Sequence, residues 1–181
     1  MTFDYPGYPL TFIQQQRCAD DSAHEYTRIY KFYSPVTRYF YIVRADYHVR
    51  DIFAIKFYCK KDRKSEFKYS KIVNRGDLGN IIMSCARVIP MLLENYPAAS
   101  FAFAASPSVD TKTKRKEQIQ YTQRYRLYCY MIPIKFGLET FVHYAYDNIS
   151  AYLLYNRKSA SSKAAIEDMF IATYQTLDAI A

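Results

Sequence analysis

Apolar and polar residues alternate with a period of two along the first part of the chain. That period is typical of strands that are buried on one face only. Residues 1–24 contain two prolines and a glycine before a polar run, and they predict an irregular lead-in with room for one short strand. The alternation then predicts four strands in an antiparallel meander, over residues 26–33, 37–45, 51–60 and 66–73.

The pattern changes to a helical period after this meander. Seven apolar residues between Leu78 and Leu93 recur every three or four positions, as they do on the buried face of a helix. Asn74 is expected to cap this helix, with Asp77 near the positive end of its dipole. Pro90 is expected to kink the helix, because proline lacks the amide hydrogen that an inner turn needs.

The second half of the chain predicts a buried strand, a polar basic loop and another strand, over residues 100–105, 106–120 and 121–132. Pro133 is expected to open a second helix that ends at Tyr146. One more strand is predicted over 149–155. A last helix follows, whose apolar stripe is Ile166, Met169, Phe170, Thr173, Leu177 and Ile180. Its candidate caps are Ser159, Ser161 and Ser162.

These elements predict an α+β fold. It has a mostly antiparallel sheet, with a four-strand meander, a helix and then further strands, and the helices pack on one face. The predicted organisation is a lead-in over 1–24, a core domain over 25–158 and a C-terminal helix over 159–181 that packs on the core. At 181 residues with 50% apolar residues, the chain is long enough to bury a substantial core.

The most informative stretch is residues 121–132. If this stretch is a strand, one face carries two arginines and two tyrosines, namely Arg124, Arg126, Tyr128 and Tyr130. Guanidinium groups beside aromatic rings suit the phosphates and bases of a single-stranded nucleic acid. The alternative is that the two tyrosines cover a second hydrophobic layer.

Positive charge is concentrated in two segments. The net charge is +8, but residues 56–75 carry +6 and residues 108–126 carry +4, so the rest of the chain is net −2. This concentration favours a polyanionic partner, although two solvated lysine-rich loops would show it as well. The predicted nucleic-acid contacts are Lys56, Tyr58, Lys60, Lys68, Lys112, Lys114, Arg115, Lys116, Arg124, Arg126, Tyr128 and Tyr130.

Composition narrows the classes of function. With only four glycines, a glycine-rich phosphate loop is not expected. The four cysteines form no C-x-x-C pair and no signal peptide is evident, which favours the reducing cytoplasm. No apolar run approaches the length of a membrane span, so no membrane partner is expected.

Two short segments carry a resemblance to a known family. Residues 103–107 (Phe-Ala-Ala-Ser-Pro) and 124–128 (Arg-Tyr-Arg-Leu-Tyr) resemble a signature of small uncharacterised proteins, mainly from Bacteroidetes. In that family a Phe-x-Gly-Ser strand end precedes an Arg-Thr-Arg-Leu-Tyr strand. This chain has Ala105 in place of the glycine and a longer basic loop between the two halves. The resemblance implies a fold and no mechanism.

A second likeness concerns architecture alone. A strand meander followed by a long helix is similar to the PUR and Whirly single-stranded nucleic-acid binders. Because one fold hosts many functions, this likeness does not assign one.

Catalytic motifs are not evident in the sequence. His24 lies in an acidic cluster over residues 20–25 that could hold a divalent cation or supply a general base, although a solvated acidic loop would look the same. His48 is expected in a turn and His143 on the second helix, both in structural roles. No nucleophile motif is present. We therefore expect no catalytic residue, no metal and no cofactor.

The sequence thus predicts a non-catalytic nucleic-acid-binding module of a bacterial cytoplasm, for single-stranded DNA or RNA. The alternative is a protein-interaction module that forms a homodimer or binds a partner protein, because interfaces also select tyrosine and arginine. The two differ in salt dependence, which is steep for nucleic acid and weaker for a tyrosine-anchored interface. An enzyme that acts on nucleic acid ranks third.

Overall fold

The structure is a computed structural model that describes residues 4–19, 23–71, 76–110 and 112–178, with side chains up to residue 172. The strands are β1 Thr11–Arg17, β2 Tyr26–Ser34, β3 Tyr39–His48, β4 Ile52–Cys59, β5 Ser100–Ala104, β6 Phe141–Tyr146 and β7 Ala151–Asn156. The helices are α1 Leu78–Ala86, α2 Val88–Leu93, α3 Gln123–Phe136 and α4 Lys163–Asp178. Within the described residues the strands form one sheet in the order β1-β2-β3-β4-β5-β7-β6.

Strands β1 to β4 form an antiparallel meander, and β5, β7 and β6 extend the sheet. Only the pairing of β4 with β5 is parallel among the described strands. The α+β class and the mostly antiparallel sheet are therefore confirmed. The predicted strands over 26–33, 37–45 and 51–60 are confirmed as β2, β3 and β4.

The predicted fourth strand, 66–73, is wrong where the structure describes it. Residues 66–70 form turns, and Lys71 makes an isolated bridge to Val109. Residues 72–73 lie outside the described residues. The physical reason is that the buried strand β5 takes the edge of β4, while β1, from the predicted lead-in, completes the meander.

Alternate residues of the central strands point into two separate cores. Phe53 and Ile55 of β4 pack in the larger core with α1, α2 and α3. Ile52 and Ala54 face the other way and pack in a smaller core with Ile166 of α4. Helices α1 to α3 therefore share one face, as expected, whereas α4 covers part of the opposite face.

The helix predicted over residues 78–93 is split into α1 and α2 at Arg87. Pro90 has no amide hydrogen for the carbonyl of Ala86, and its ring crowds that carbonyl. The regular part of α1 ends at Ala86 for this reason, which confirms the expected kink. Asp77 occupies the N-cap position of α1, and Asn74, the expected cap, lies outside the described residues.

Asp77 ties the lead-in to the first helix. Its buried carboxylate accepts hydrogen bonds from the hydroxyl of Tyr8 at 2.9 Å, from Oγ of Ser34 at 2.6 Å and from Nδ2 of Asn80 at 3.0 Å. The amide of Tyr8 in turn donates to Oγ of Ser84 at 2.7 Å. The chain before β1 is thus held against α1 by polar contacts.

We expect Asp77→Ala to lower the free energy of unfolding by about 2 kcal/mol, because three donors lose their acceptor in a buried place. Urea unfolding followed by circular dichroism measures this loss. Asp168→Ala removes an exposed carboxylate of α4 and serves as the control, with a change within about 0.5 kcal/mol. Equal stability of the two variants would contradict the anchoring role.

Residues 123–132 of the predicted strand 121–132 form most of α3 instead. Tyr125, Tyr128, Met131 and Ile132 recur three or four positions apart, and all four are buried in the larger core. Oγ1 of Thr122 accepts a hydrogen bond from the amide of Tyr125 at 3.3 Å and caps the helix. Helical spacing of the large side chains decides the conformation here.

The second helix, predicted over residues 133–146, is also wrong. Pro133 lies inside α3 near its end and does not open a new helix. Residues 141–146 form the edge strand β6, which pairs with β7. The strand predicted over 149–155 is confirmed as β7.

The last helix begins where the serines predicted it. Oγ of Ser162 accepts a hydrogen bond from the amide of Ala165 at 3.2 Å, so Ser162 is the cap among the three candidates. Ile166 and Phe170 of the expected stripe are buried against the sheet. The later stripe residues, Thr173, Leu177 and Ile180, lie beyond the described side chains. In the part of the chain that the structure describes, no helix has both the length and the apolar character needed to cross a membrane.

Candidate anion-binding site

The meander carries a basic and aromatic surface on the side opposite α1 to α3. The register of β2, β3 and β4 aligns its side chains in rows, such as Ile29, Arg44 and Lys56. We call this surface the open face. Its residues are Ile29, Lys31 and Tyr33 of β2, Phe40, Ile42, Arg44 and Asp46 of β3, and Lys56 and Tyr58 of β4.

Asp46 is a buried carboxylate that gathers cations on the open face. Nζ of Lys56 lies 3.0 Å from its Oδ2, Nε of Arg44 lies 3.6 Å from its Oδ1, and Oγ1 of Thr27 donates to it at 2.6 Å. Burial raises the pKa of Asp46, but Lys56, Thr27 and Arg44 together outweigh it, so the pKa is lowered overall. Asp46 is therefore ionised at neutral pH and holds both cations beside one another.

Lys68 adds a third cation to this cluster. Its Nζ lies 5.1 Å from the ring centroid of Tyr58 and 5.2 Å from that of Tyr69, and it forms no ion pair within the described residues. Burial lowers the pKa of Lys68, and the charges of Arg44 and Lys56 lower it further. Arg44 and Lys56 contact Asp46 and their charges act on Lys68, so the cluster contains three cations and one carboxylate. This excess of two positive charges is one that an anion would neutralise.

The segment that carries Lys68 is anchored by Arg124 of α3. The Arg124 guanidinium donates to the carbonyl of Tyr69 and, at 2.8 Å, to that of Lys71. Its carbon Cζ also lies 5.1 Å from the ring centroid of Phe57. Arg124 is buried on a helix, so the prediction that it lies on the exposed face of a strand is wrong. Its role is to hold the backbone beside the cluster.

An exposed pair of aromatic rings lies further along the open face. Tyr33 and Phe40 are paired across β2 and β3, their ring centroids are 5.1 Å apart, and 44% and 46% of their surfaces are exposed. Nζ of Lys31 and Nζ of Lys60 each lie 5.9 Å from the centroid of Phe40. Two lysine charges therefore lie close to the exposed ring of Phe40.

The basic loop between β5 and α3 lies beside the same segment. Val109 bridges both Lys71 and Lys116. Asp110 closes the tip of the loop, because its carboxylate accepts from the amide of Lys112 at 2.8 Å and from Oγ1 of Thr113 at 2.8 Å. The predicted contacts of this loop are all exposed, namely Lys112, Lys114, Arg115 and Lys116.

The structure brings together only part of the predicted site. Four predicted residues cluster on or beside the open face, namely Lys56, Tyr58, Lys60 and Lys68. Arg126 and Tyr130 are exposed on α3, which packs on the opposite face. Tyr128 is buried with Arg124, so the expectation that its ring is exposed is also wrong. Helical spacing places these two side chains on the buried side of α3.

Sequence reasoning missed Arg44, Lys31, Tyr33 and Phe40. The alternation of β2 already separates Lys31 and Tyr33 from the buried Tyr30 and Phe32, so that signal was present. Arg44 and Phe40 join the site only through the register of β3, which the sequence does not state.

The histidines support structural roles more than catalytic ones. His48 lies buried in β3 rather than in a turn, with its ring 5.8 Å from that of Phe170. His143 lies in β6 rather than on a helix, with its Nδ1 2.8 Å from the hydroxyl of Tyr152. Nε2 of His24 lies 4.0 Å from Asp46, and the acidic residues 20–21 lie outside the described residues.

Three of the four cysteine thiols are buried or half-buried in ways that disfavour the thiolate form. Burial raises the pKa of the thiols of Cys59, Cys85 and Cys129, which is the opposite of what a thiolate nucleophile needs. No group of three His, Cys, Asp or Glu side chains within the described ranges could hold a metal ion.

Comparison with protein-family models, with curated proteins and with solved structures finds no match for this chain. The resemblances drawn from its sequence stay predictions. The function is therefore argued from the chemistry of the open face.

Proposed function

We propose that the protein is a non-catalytic module that binds nucleic acid, with a preference for single strands, through the open face and the basic loop. The observation that carries this proposal is the pairing of Arg44 and Lys56 with the buried carboxylate of Asp46, with Lys68 beside them over the ring of Tyr58. Such an excess of positive charge attracts phosphate groups.

The extent of the basic surface favours a polymer over a small anion. Lys31 and Lys60 continue the positive charge beyond the cluster, and the loop over 112–116 adds four more cations next to Lys71. A polyanion can contact several of these cations at once and release a counterion for each phosphate that they neutralise. The surface therefore fits a chain of phosphates.

The cations differ in what they can contribute. Lys56 and Arg44 are committed to Asp46, so their replacement would leave a buried carboxylate poorly compensated and would disturb the fold. Lys60 and Lys68 form no ion pair within the described residues, and their replacement leaves the carboxylate network in place. They are the residues with which to test binding.

We expect the protein to bind short labelled single-stranded DNA and RNA with an affinity that falls steeply with salt. The variant Lys60→Ala/Lys68→Ala should bind about tenfold more weakly, and the slope of log affinity against log salt should decrease by about 1.4, since about 0.7 counterion is released per contact. Fluorescence anisotropy at several salt concentrations measures both quantities.

The matched control is Lys135→Ala/Lys158→Ala, which removes the same charge from exposed positions on α3 and after β7. It should keep the affinity within about twofold of the wild type, because long-range charge effects are screened. No binding at low salt would overturn the proposal. An equal loss in both double variants would also overturn it, because binding would then follow net charge alone.

A second candidate function is suggested by β1. All seven residues of this edge strand are exposed, with 42% of Phe12 and 43% of Ile13 accessible. An exposed edge can pair with a strand of a second copy or of a partner protein, although the irregular register between Phe12 and Gln14 blunts it. Such an interface would depend only weakly on salt, which separates it from the first proposal.

A further inference from the structure

The aromatic pair of Tyr33 and Phe40 contributes to neither hydrophobic core of the described residues. The two residues form the second pair from the turn of the β2–β3 hairpin, and 44% of Tyr33 and 46% of Phe40 is exposed. The planes of the two rings are inclined by 52° to one another, and part of each side chain is accessible from solvent. Neither ring fills a core, and the accessible part of both side chains can contact a flat ligand.

The surroundings of the pair indicate what kind of ligand fits. Lys31 and Lys60 place two ammonium groups near the ring of Phe40, and no carboxylate pairs with either group within the described residues. A ligand for this place should therefore combine a flat apolar surface with negative charge. An unpaired base attached to its phosphate has both properties.

The pair also lies in line with the cation cluster. Phe40 and Arg44 are on the same strand and face, four residues apart, which corresponds to about 13 Å at 3.3 Å per residue. A single strand of a few nucleotides can cover that distance, with a base on the rings and a phosphate at Lys56 or Lys68. A duplex keeps its bases stacked inside and cannot use the rings in this way.

We propose that Tyr33 and Phe40 form a stacking site for an unpaired base, which makes the module select single strands over duplexes. This inference rests on the proposed function and specifies its ligand. The lysines bind phosphates of any nucleic acid, whereas the rings respond only to bases that are free to stack. The residues that select single strands are therefore different from the residues that bind phosphate groups.

The test compares three probes of equal length: a single-stranded oligonucleotide, its duplex, and a single strand that lacks bases and has the same phosphate charge as the first probe. Tyr33→Leu/Phe40→Leu keeps apolar side chains in both positions and removes the rings. Tyr130→Leu removes an exposed ring from α3 and is the matched control. Circular dichroism confirms that each variant is folded.

We expect Tyr33→Leu/Phe40→Leu to bind the single strand about tenfold more weakly, or more, since the stacking of one base on an aromatic side chain contributes a factor of about 5 to 150 in affinity. Its affinity for the duplex and for the strand without bases should stay unchanged, and so should its salt dependence. Tyr130→Leu should behave like the wild type. This combination separates stacking from charge.

Three results would overturn the inference. If the wild type binds single strands and the ring variant retains its preference over the duplex, the stacking site is wrong and the proposed function stands. If the wild type binds none of the probes at low salt, both fail. If the ring variant instead loses self-association in sedimentation while its binding to the probes is unchanged, the pair is a protein interface.

Discussion

Replacing Arg124 by methionine is expected to lower the free energy of unfolding by about 3 kcal/mol. Methionine fills a similar volume without a donor, so the carbonyls of Tyr69 and Lys71 lose their hydrogen-bond partner. Each buried carbonyl left without a partner costs about 1–3 kcal/mol, and the contact with Phe57 is weakened as well. Urea unfolding followed by circular dichroism measures the loss.

The same substitution should expose the segment next to the cation cluster. Hydrogen exchange at the amides of residues 68–71 should become faster in Arg124→Met, because the anchor of that backbone is gone. Arg126→Met changes an exposed arginine of the same helix and should alter stability by no more than about 0.5 kcal/mol. If the two variants were equally stable, Arg124 would not be an anchor.

Acidification is expected to destabilise the protein through His48, by up to about 3 kcal/mol. Burial lowers the pKa of His48 to about 4, with smaller effects from the neighbouring Asp46, His24 and Lys56. In the unfolded chain the imidazole takes up a proton near pH 6.5. The unfolded state therefore binds more protons between pH 6.5 and 4, and stability falls over that range as pH decreases.

Unfolding at pH 7 and at pH 4.5 tests this expectation. Wild-type protein should lose about 2 kcal/mol more than His48→Phe, which keeps a ring beside Phe170 and has no proton to gain. The contribution of Asp46 is lost only at lower pH, since its pKa is below the ordinary value of 3.8. Equal losses in both proteins would show that His48 does not control the acid response.

The strands of the meander were predictable because their pattern is local. In β2 and β4, large apolar residues of the core recur at every second position, which is the period of a strand. They are Tyr30 and Phe32 in β2 and Phe53, Ile55 and Phe57 in β4. The kink near Pro90 and the serine cap of α4 follow from the chemistry of single residues in the same way. None of these features needs information about distant parts of the chain.

The conformation of residues 121–132 was not predictable from a local sequence pattern. These twelve residues are rich in tyrosine and arginine, and their sequence fits both the period of a strand and the period of a helix. The prediction of a strand assumed that the arginine side chains stay in water. The structure buries Arg124 because backbone carbonyls of a distant segment receive its hydrogen bonds. Strand β5 pairs with β4 on one side and with β7 on the other, so residues 121–132 could not pair with β5 as a further strand.

The candidate site likewise contains some features that the sequence pattern predicts and others that depend on contacts between distant segments. That Lys56 and Tyr58 share one face of a strand follows from the alternation alone, because side chains of a strand point to opposite sides in turn. Only the tertiary structure decided that Arg44 lies beside Lys56 and that Lys68 folds over Tyr58. The sequence determined which residues of a strand share a face. The register of the strands and the position of α4 decided which of these faces are covered and which stay exposed, because register and helix position depend on contacts between distant segments.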